Sequence, residues 1–229
     1  MIPTPAVVAI IPAFNEARRV AHAIADARPY VDYVVVIDDC SKDETSQIAL
    51  QAGAHVLRHP INRGQGAALQ TGADYAVQKL HAGYLVHFDA DGQMLGSEIP
   101  HLLQPLREGR ADISLGSRFL GKAENLPPSR KITLMLGLLF TRVISGIRLT
   151  DTHNGFRAMT RQTALRLRIR LDRMAHASEI LDQIIALRLR YVEVPVTIRY
   201  TEDTLAKGQS SLGALTILKD FLVQKFFVN

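Results

Sequence analysis

From Val7 to Leu115 the chain alternates short apolar runs with longer stretches of helical spacing. Val7–Ile11, Tyr33–Ile37, His55–Leu57, Tyr84–Phe88 and Ile113–Leu115 are rich in β-branched or aromatic residues and predict strands. Glu16–Ala27, Asp43–Gln51, Gly66–Leu80 and Ser97–Glu108 repeat apolar residues at helical intervals, with Asp43 and Ser97 placed to start two helices. A β-α-β-α rhythm of this kind builds a mostly parallel sheet covered by helices on both faces. Ligands of such sheets bind beyond the carboxyl ends of the strands, so chemistry is sought first where each apolar run ends.

Beyond residue 118 the pattern loosens. Glu124-Asn125-Leu126-Pro127-Pro128-Ser129 is a loop rich in breakers. Ile132–Ile147 is a run of sixteen mostly apolar residues interrupted by Arg142. A membrane span needs about 20 such residues, and a central arginine costs roughly 2.5–3.5 kcal/mol on insertion. The run therefore reads either as a buried helix or as a helix lying on a membrane surface beside Arg130 and Lys131. Arg157, Arg161, Arg166, Arg168, Arg170 and Arg173 place six arginines within seventeen residues. The alternation at 166, 168 and 170 fits one face of a strand or a solvated edge that blocks sheet pairing. An amphipathic helix over Leu212–Phe227 closes the chain, free to pack internally, on lipid or against a second copy as a homo-oligomer contact.

With 229 residues, 47% hydrophobic and 21% charged, the chain is expected to be one domain, 1–229, and not a disordered segment. Cys40 is the single cysteine, which excludes an internal disulfide and a thiolate zinc site. No basic-then-apolar leader opens the sequence, so residence in the cytoplasm is expected, with peripheral attachment to the inner face of a membrane as a variant. Charge is divided unevenly: 9 basic and 13 acidic residues up to Leu115, then 18 and 9. The arginines have no interleaved aromatics and tryptophan is absent, so nucleic acid is not an expected partner. An anionic membrane surface or a phosphorylated acceptor accounts for the basic half.

Three apolar runs end in acid. Asp89-Ala90-Asp91-Gly92-Gln93 sets two carboxylates two residues apart, with an amide oxygen following. This set suits Mg²⁺ or Mn²⁺ shared with substrate phosphates, although alone it reads equally as a solvated turn. Asp38-Asp39, and Glu16 after Pro12-Ala13-Phe14-Asn15, bring further carboxylates to the same sheet edge. Their mutual repulsion calls for a cation or a nucleotide's hydrogen-bond donors. Gly64-Gln65-Gly66 lacks the third glycine of a dinucleotide fingerprint and does not follow the first strand, and no phosphate-loop Gly-Lys-Ser occurs. Gly64 and Gly66 instead let the backbone approach a nucleotide or shape a helix start.

These segments continue through Asp38-Asp39-Cys40-Ser41-Lys42-Asp43-Glu44-Thr45, Asn62-Arg63-Gly64-Gln65-Gly66-Ala67-Ala68, Gly116-Ser117-Arg118-Phe119 and Asp151-Thr152-His153-Asn154-Gly155-Phe156-Arg157. In this order they resemble family 2 glycosyltransferases of the GT-A fold, a Rossmann-like α/β nucleotide-sugar fold, and within them the dolichol- or polyprenyl-phosphate mannose synthase branch. The resemblance spans about residues 7–210. It implies a metal-dependent inverting enzyme moving a sugar from a UDP- or GDP-sugar to a polyprenyl phosphate, with residues 1–118 binding nucleotide and metal and 119–229 binding acceptor. Pro12, Phe14, Glu16, Asp39, Gly66, Asp89 and Ala90 would contact the nucleotide-sugar, while Asp89, Asp91 and Gln93 would hold Mg²⁺ or Mn²⁺. Arg118 would approach the phosphates, and Arg130, Lys131 and Lys207 an acceptor phosphate. Cys40 replaces the family's usual glycine, and Gly208-Gln209-Ser210-Ser211 lacks the family's lysine. Were the acceptor a glycan hydroxyl instead, Asp151 or Glu179 would be the base, unless Asp151 pairs with Arg157 and Glu179 caps a helix near Ser178. His153 and His176 share that ambiguity. A nucleotide-sugar-binding module without catalysis is the remaining alternative.

Overall fold

The computed structural model describes residues 5–145, 147–152, 154–171 and 176–200. Strands β1 (Val7–Ala13), β2 (Tyr33–Asp38), β3 (His55–Arg58), β4 (Tyr84–His87), β5 (Ile113–Glu124), β6 (Arg157–Thr160) and β7 (Tyr191–Arg199) form one sheet in the order β3-β2-β1-β4-β6-β5-β7. Helices α1 (Val20–Ala27), α2 (Thr45–Gln51), α3 (Gln65–Gln78), α4 (Ile99–Arg107), α5 (Pro128–Ser145), α6 (Arg161–Arg166) and α7 (His176–Ala186) connect and cover it. Pairing is parallel except at β6, which runs against both β4 and β5. The architecture is the mostly parallel, helix-covered α/β sheet that the rhythm of the first half predicts.

Period-two alternation divides the core into two layers. Val7, Ala9 and Ile11 of β1, with Val34 and Val36 of β2, face α1 and α4. Val8 and Ile10, with Val35 and Ile37, face α3 and α7. Both faces are buried, which is why these strands read as unbroken apolar runs. At Gly72 an added Cβ would lie 2.3 Å from Ile10 Cγ2, so α3 rests directly on β1.

The second half departs from expectation. β6 and β7 lie beyond the predicted strands, and β5 continues nine residues past Leu115 to Glu124. Its pairing with β7 slips between Ser117 and Lys122, a bulge that turns Arg118 out of the ladder. Arg166, Arg168 and Arg170 are exposed and alternate with buried Leu167 and Ile169, but no strand forms. Arg166 ends α6, and the following backbone bonds to side chains of α7: Gln183 to Arg168, Glu179 to Arg170 and Leu171. The predicted solvated edge is present; the strand is not. The run from Ile132 lies in α5, and among the described residues no helix is long and apolar enough to cross a membrane. Leu212–Phe227, Lys207 to Ser211, Arg173 and His153 lie outside the described residues.

Candidate active site

β1, β2, β4 and the start of β5 deliver their carboxyl ends to one edge, and the antiparallel β6 brings its amino end there. Arg157 pairs with His87 of β4 on one side and Leu115 of β5 on the other. The segment Asn154-Gly155-Phe156-Arg157 therefore joins the acidic strand ends despite its distance in sequence.

The chain after β1 and the chain after β2 form a pair of interlocked loops. Asn15 turns the chain after β1 at φ 55°. Its N–H donates to Ser41 Oγ (2.9 Å) and its Oδ1 accepts from the Lys42 N–H (2.8 Å), while the Glu16 N–H donates to Thr45 Oγ1 (2.9 Å). These bonds keep residues 14–17 out of α1, which starts at Val20 and not at Glu16. Phe14 is 44% exposed at this edge, a free aromatic face, and Pro12 pairs with Ile37 beneath it. Glu16 forms an ion pair with Arg19 at 2.6 Å.

Asp39 is buried and accepts from the N–H groups of Arg63 (2.9 Å) and Gly64 (2.6 Å), and bonds to His59 Nδ1 (2.8 Å). It shapes the loop that enters α3, so any nucleotide group it takes must share it with three donors of the chain. Gly64 has φ 89°, as the turn requires. Gly66 is excluded from bearing a side chain by the protein itself: a Cβ there would lie 2.1 Å from the Leu171 carbonyl oxygen. Ala90 buries its methyl in the core, leaving only backbone to face a ligand.

Asp89 and Asp91 follow β4. Gln65 Nε2 donates to Asp89 Oδ1 (2.9 Å), and Gly155 lies so close that its Cβ would come 2.9 Å from Asp89 Oδ2. The Gln93 N–H donates to Asp91 Oδ1 (3.0 Å). Burial and the Asp91 carboxylate push the Asp89 pKa up to about 7, against the opposing pull of Arg157, the Gln65 bond and Arg118. Asp91 is raised as well, by burial first and then by the Glu16 carboxylate. Among the described residues no three His, Cys, Asp or Glu side chains gather as a ligand set. Two crowded carboxylates followed by Gln93 nevertheless fit a hard cation that completes its shell with diphosphate oxygens and water, and such a cation would relieve their repulsion.

Behind this pair stands a buried cationic layer. Arg118, 7% exposed, holds Asp151 through Nε at 2.6 Å and donates through Nη1 to the Tyr200 hydroxyl. Asp151 thus accepts its hydrogen bonds from Arg118, which the bulge in β5 carries to the loop after α5, and reaches Arg157 through charge. That loop is pinned by Glu193 of β7, which accepts the N–H groups of Thr150 and Asp151. Arg157 is buried within reach of the charges of Asp89 and Asp151, which hold its proton against a desolvation that lowers its pKa to about 10. Glu179, in the first turn of α7, accepts from the backbone N–H groups of Arg170 (3.0 Å) and Leu171 (2.9 Å), so it ties down the preceding loop and does not serve as the cap expected near Ser178. His176 is buried beside His87.

Arg130 and Lys131 lie in the first turn of α5. Arg130 sits over the Tyr200 ring at 5.2 Å, and Lys131 borders a cavity of about 360 Å³ lined by Phe119, Met135, Leu138 and Thr150. Gln65, Arg157 and Tyr200 were not singled out as site residues. Arg157 belongs to the Asp151–Arg157 segment, but only the reversed direction of β6 gives it Asp89 as a neighbour.

The pattern of glycosyl transferase family 2 matches residues 8–167. The chain is 32% identical to an undecaprenyl-phosphate mannosyltransferase of Micrococcus luteus, over 90% of this chain and 88% of that one. It is 29% identical to the UDP-N-acetylglucosamine–dolichyl-phosphate N-acetylglucosaminyltransferase of Methanococcus voltae, over 94% of each. Glucosyl-3-phosphoglycerate synthase of Mycobacterium tuberculosis, solved with Mn²⁺ and UDP-glucose, superposes with a TM-score of 0.72 at 18% identity, covering 96% of this chain and 78% of that one. Motif order, sheet topology and these matches agree that the chain belongs to glycosyl transferase family 2 and is a glycosyltransferase of the GT-A fold.

Proposed function

We propose that the enzyme transfers a sugar, with inversion, from a UDP- or GDP-linked donor to a polyprenyl phosphate, using Mg²⁺ or Mn²⁺ at Asp89, Asp91 and Gln93. The observation that carries the acceptor assignment is the commitment of both candidate bases: Asp151 is taken by Arg118 and Glu179 by two backbone amides. A hydroxyl acceptor needs a base; a phosphate is already ionised near neutral pH and needs none. The names of the Micrococcus and Methanococcus relatives, each citing a lipid phosphate, support the same choice.

Phe14, Pro12 and Glu16 would flank the base and ribose, and the acidic pair would receive the diphosphate. Asp89, Asp91 and Gln93 would hold a cation there, which would offset the charge that builds on the departing diphosphate. An acceptor phosphate oxygen, steered by Arg130 and Lys131, attacks the anomeric carbon as the bond to the diphosphate oxygen breaks and its electron pair leaves with the nucleotide. The cavity beside Lys131 offers apolar walls to the first isoprene units. Exposed Leu120, Ile132 and Met135 extend that surface and support peripheral contact with a membrane.

Labelled UDP-glucose, UDP-N-acetylglucosamine and GDP-mannose, each with Mn²⁺ and undecaprenyl phosphate, test the reading. Transfer by the wild type with a rate loss of at least about 100-fold in Asp91→Asn is expected. Glu179→Gln should keep the rate within about threefold. A loss of about 100-fold at unchanged melting temperature would assign it as a base and point to a glycan hydroxyl.

A further inference from the structure

Tyr200 follows β7 with its side chain buried, yet it does more than fill space. Its hydroxyl accepts from Arg118 Nη1, and the Arg130 guanidinium lies 5.2 Å above its ring centroid. The backbone is fixed to the chain between β5 and α5: the Tyr200 N–H donates to the Glu124 carbonyl (3.0 Å), and its carbonyl accepts from Asn125 Nδ2 (3.4 Å). Phenylalanine would satisfy the packing alone. Among the described residues the hydroxyl bonds to Arg118, and the ring carries the Arg130 guanidinium as well as packing in the core.

We infer that Tyr200 is a positioning residue that sets two arginines from one ring, its hydroxyl orienting Arg118 behind the acidic pair and its face holding Arg130 where an acceptor phosphate arrives. The inference rests on the lipid-phosphate reading above. Arg118 meets Asp151 through Nε and Tyr200 through Nη1, so the guanidinium plane is fixed by two acceptors on different edges. Arg130 lies on an otherwise half-exposed helix turn, and stacking on a rigid ring removes rotamer freedom that it would otherwise lose on binding phosphate. One side chain thereby separates a donor-side effect from an acceptor-side effect, and the two can be removed one at a time.

Steady-state transfer from the accepted nucleotide-sugar to undecaprenyl phosphate, with Mn²⁺ and the full chain, tests this. Tyr200→Phe should lower kcat several-fold while leaving the acceptor KM within about twofold, because the ring remains under Arg130. Tyr200→Leu should raise the acceptor KM about tenfold, as should Arg130→Met. Tyr200→Leu added to Arg130→Met should raise KM by less than about twofold further, because the ring acts through Arg130. Equal acceptor KM values for Tyr200→Phe and Tyr200→Leu, or additive effects with Arg130→Met, would overturn the inference. So would a lowered melting temperature with no change in acceptor KM, the mark of a purely structural tyrosine. In all three cases wild-type transfer leaves the acceptor reading standing, whereas wild-type failure to use undecaprenyl phosphate removes both.

Discussion

Cys40 adopts φ 65°, the left-handed conformation that glycine accepts freely and a side chain resists. The resemblance drawn from the sequence implies glycine here, and Cys40 sits in the backbone geometry that glycine prefers, which leaves it strained. Cys40→Gly should therefore stabilise the fold by about 1 kcal/mol, measured as a raised urea midpoint at constant slope. Acidic residues at strand ends were legible one by one, because strand polarity alone sends them to one edge. Their partners were not. Asp151 has Arg157 six residues away in sequence, but meets Arg118 across 33 residues because a bulge and a parallel pairing bring the latter round. Gln65 was hidden for the same reason, since its bond to Asp89 depends on how α3 abuts β4.

The helices and strands of the first half were legible almost whole, with errors confined to ends where side chains capture backbone amides, as at residues 14–17. β7 carried a usable signal in Val192, Val194, Val196 and Ile198, but Pro195 argues against a strand. The structure seats that proline opposite Ser117, where the ladder is about to break. β6 offers only Arg-Ala-Met-Thr and exists because β4 and β5 need a strand between them. Helix α3 shows what such packing demands of sequence. An alanine at residue 72 meets Ile10 Cγ2, a branch methyl held tight against the β1 backbone, and one at residue 66 meets the Leu171 backbone carbonyl. Gly66→Ala and Gly72→Ala should each cost about 2–3 kcal/mol, despite alanine's better helix propensity at both, as chemical denaturation would show. A neutral Gly66→Ala would mean that the loop at Leu171 yields to the added methyl.

Across the whole molecule, the uneven charge predicted from the sequence is partly consumed within the fold. Arg190, at the start of β7, grips Asp112, at the start of β5, through Nη2 at 2.7 Å and its backbone N–H at 2.8 Å. The Arg190 bonds hold the Asp112 carboxyl below its ordinary value of 3.8. A depressed acid stabilises the folded state above the unfolded pKa and loses that contribution as pH falls through the folded one. Arg190's side chain is 61% exposed, so solvent screens the pair and its contribution is small. Asp112→Asn should open a small stability gap at pH 7 that persists to about pH 4 and closes below it, as read by denaturation across pH.

The reversed direction of β6 also constrains how such enzymes can be recombined. A crossover near residue 118 would look natural, exchanging acceptor preference while leaving the donor machinery intact. Yet Gly155 and Arg157, carried on the far side of that boundary, form part of the wall against Asp89. A chimera that keeps this wall must therefore transplant residues 154–160, with the inner strand β6, together with the amino-terminal portion, as one non-contiguous graft.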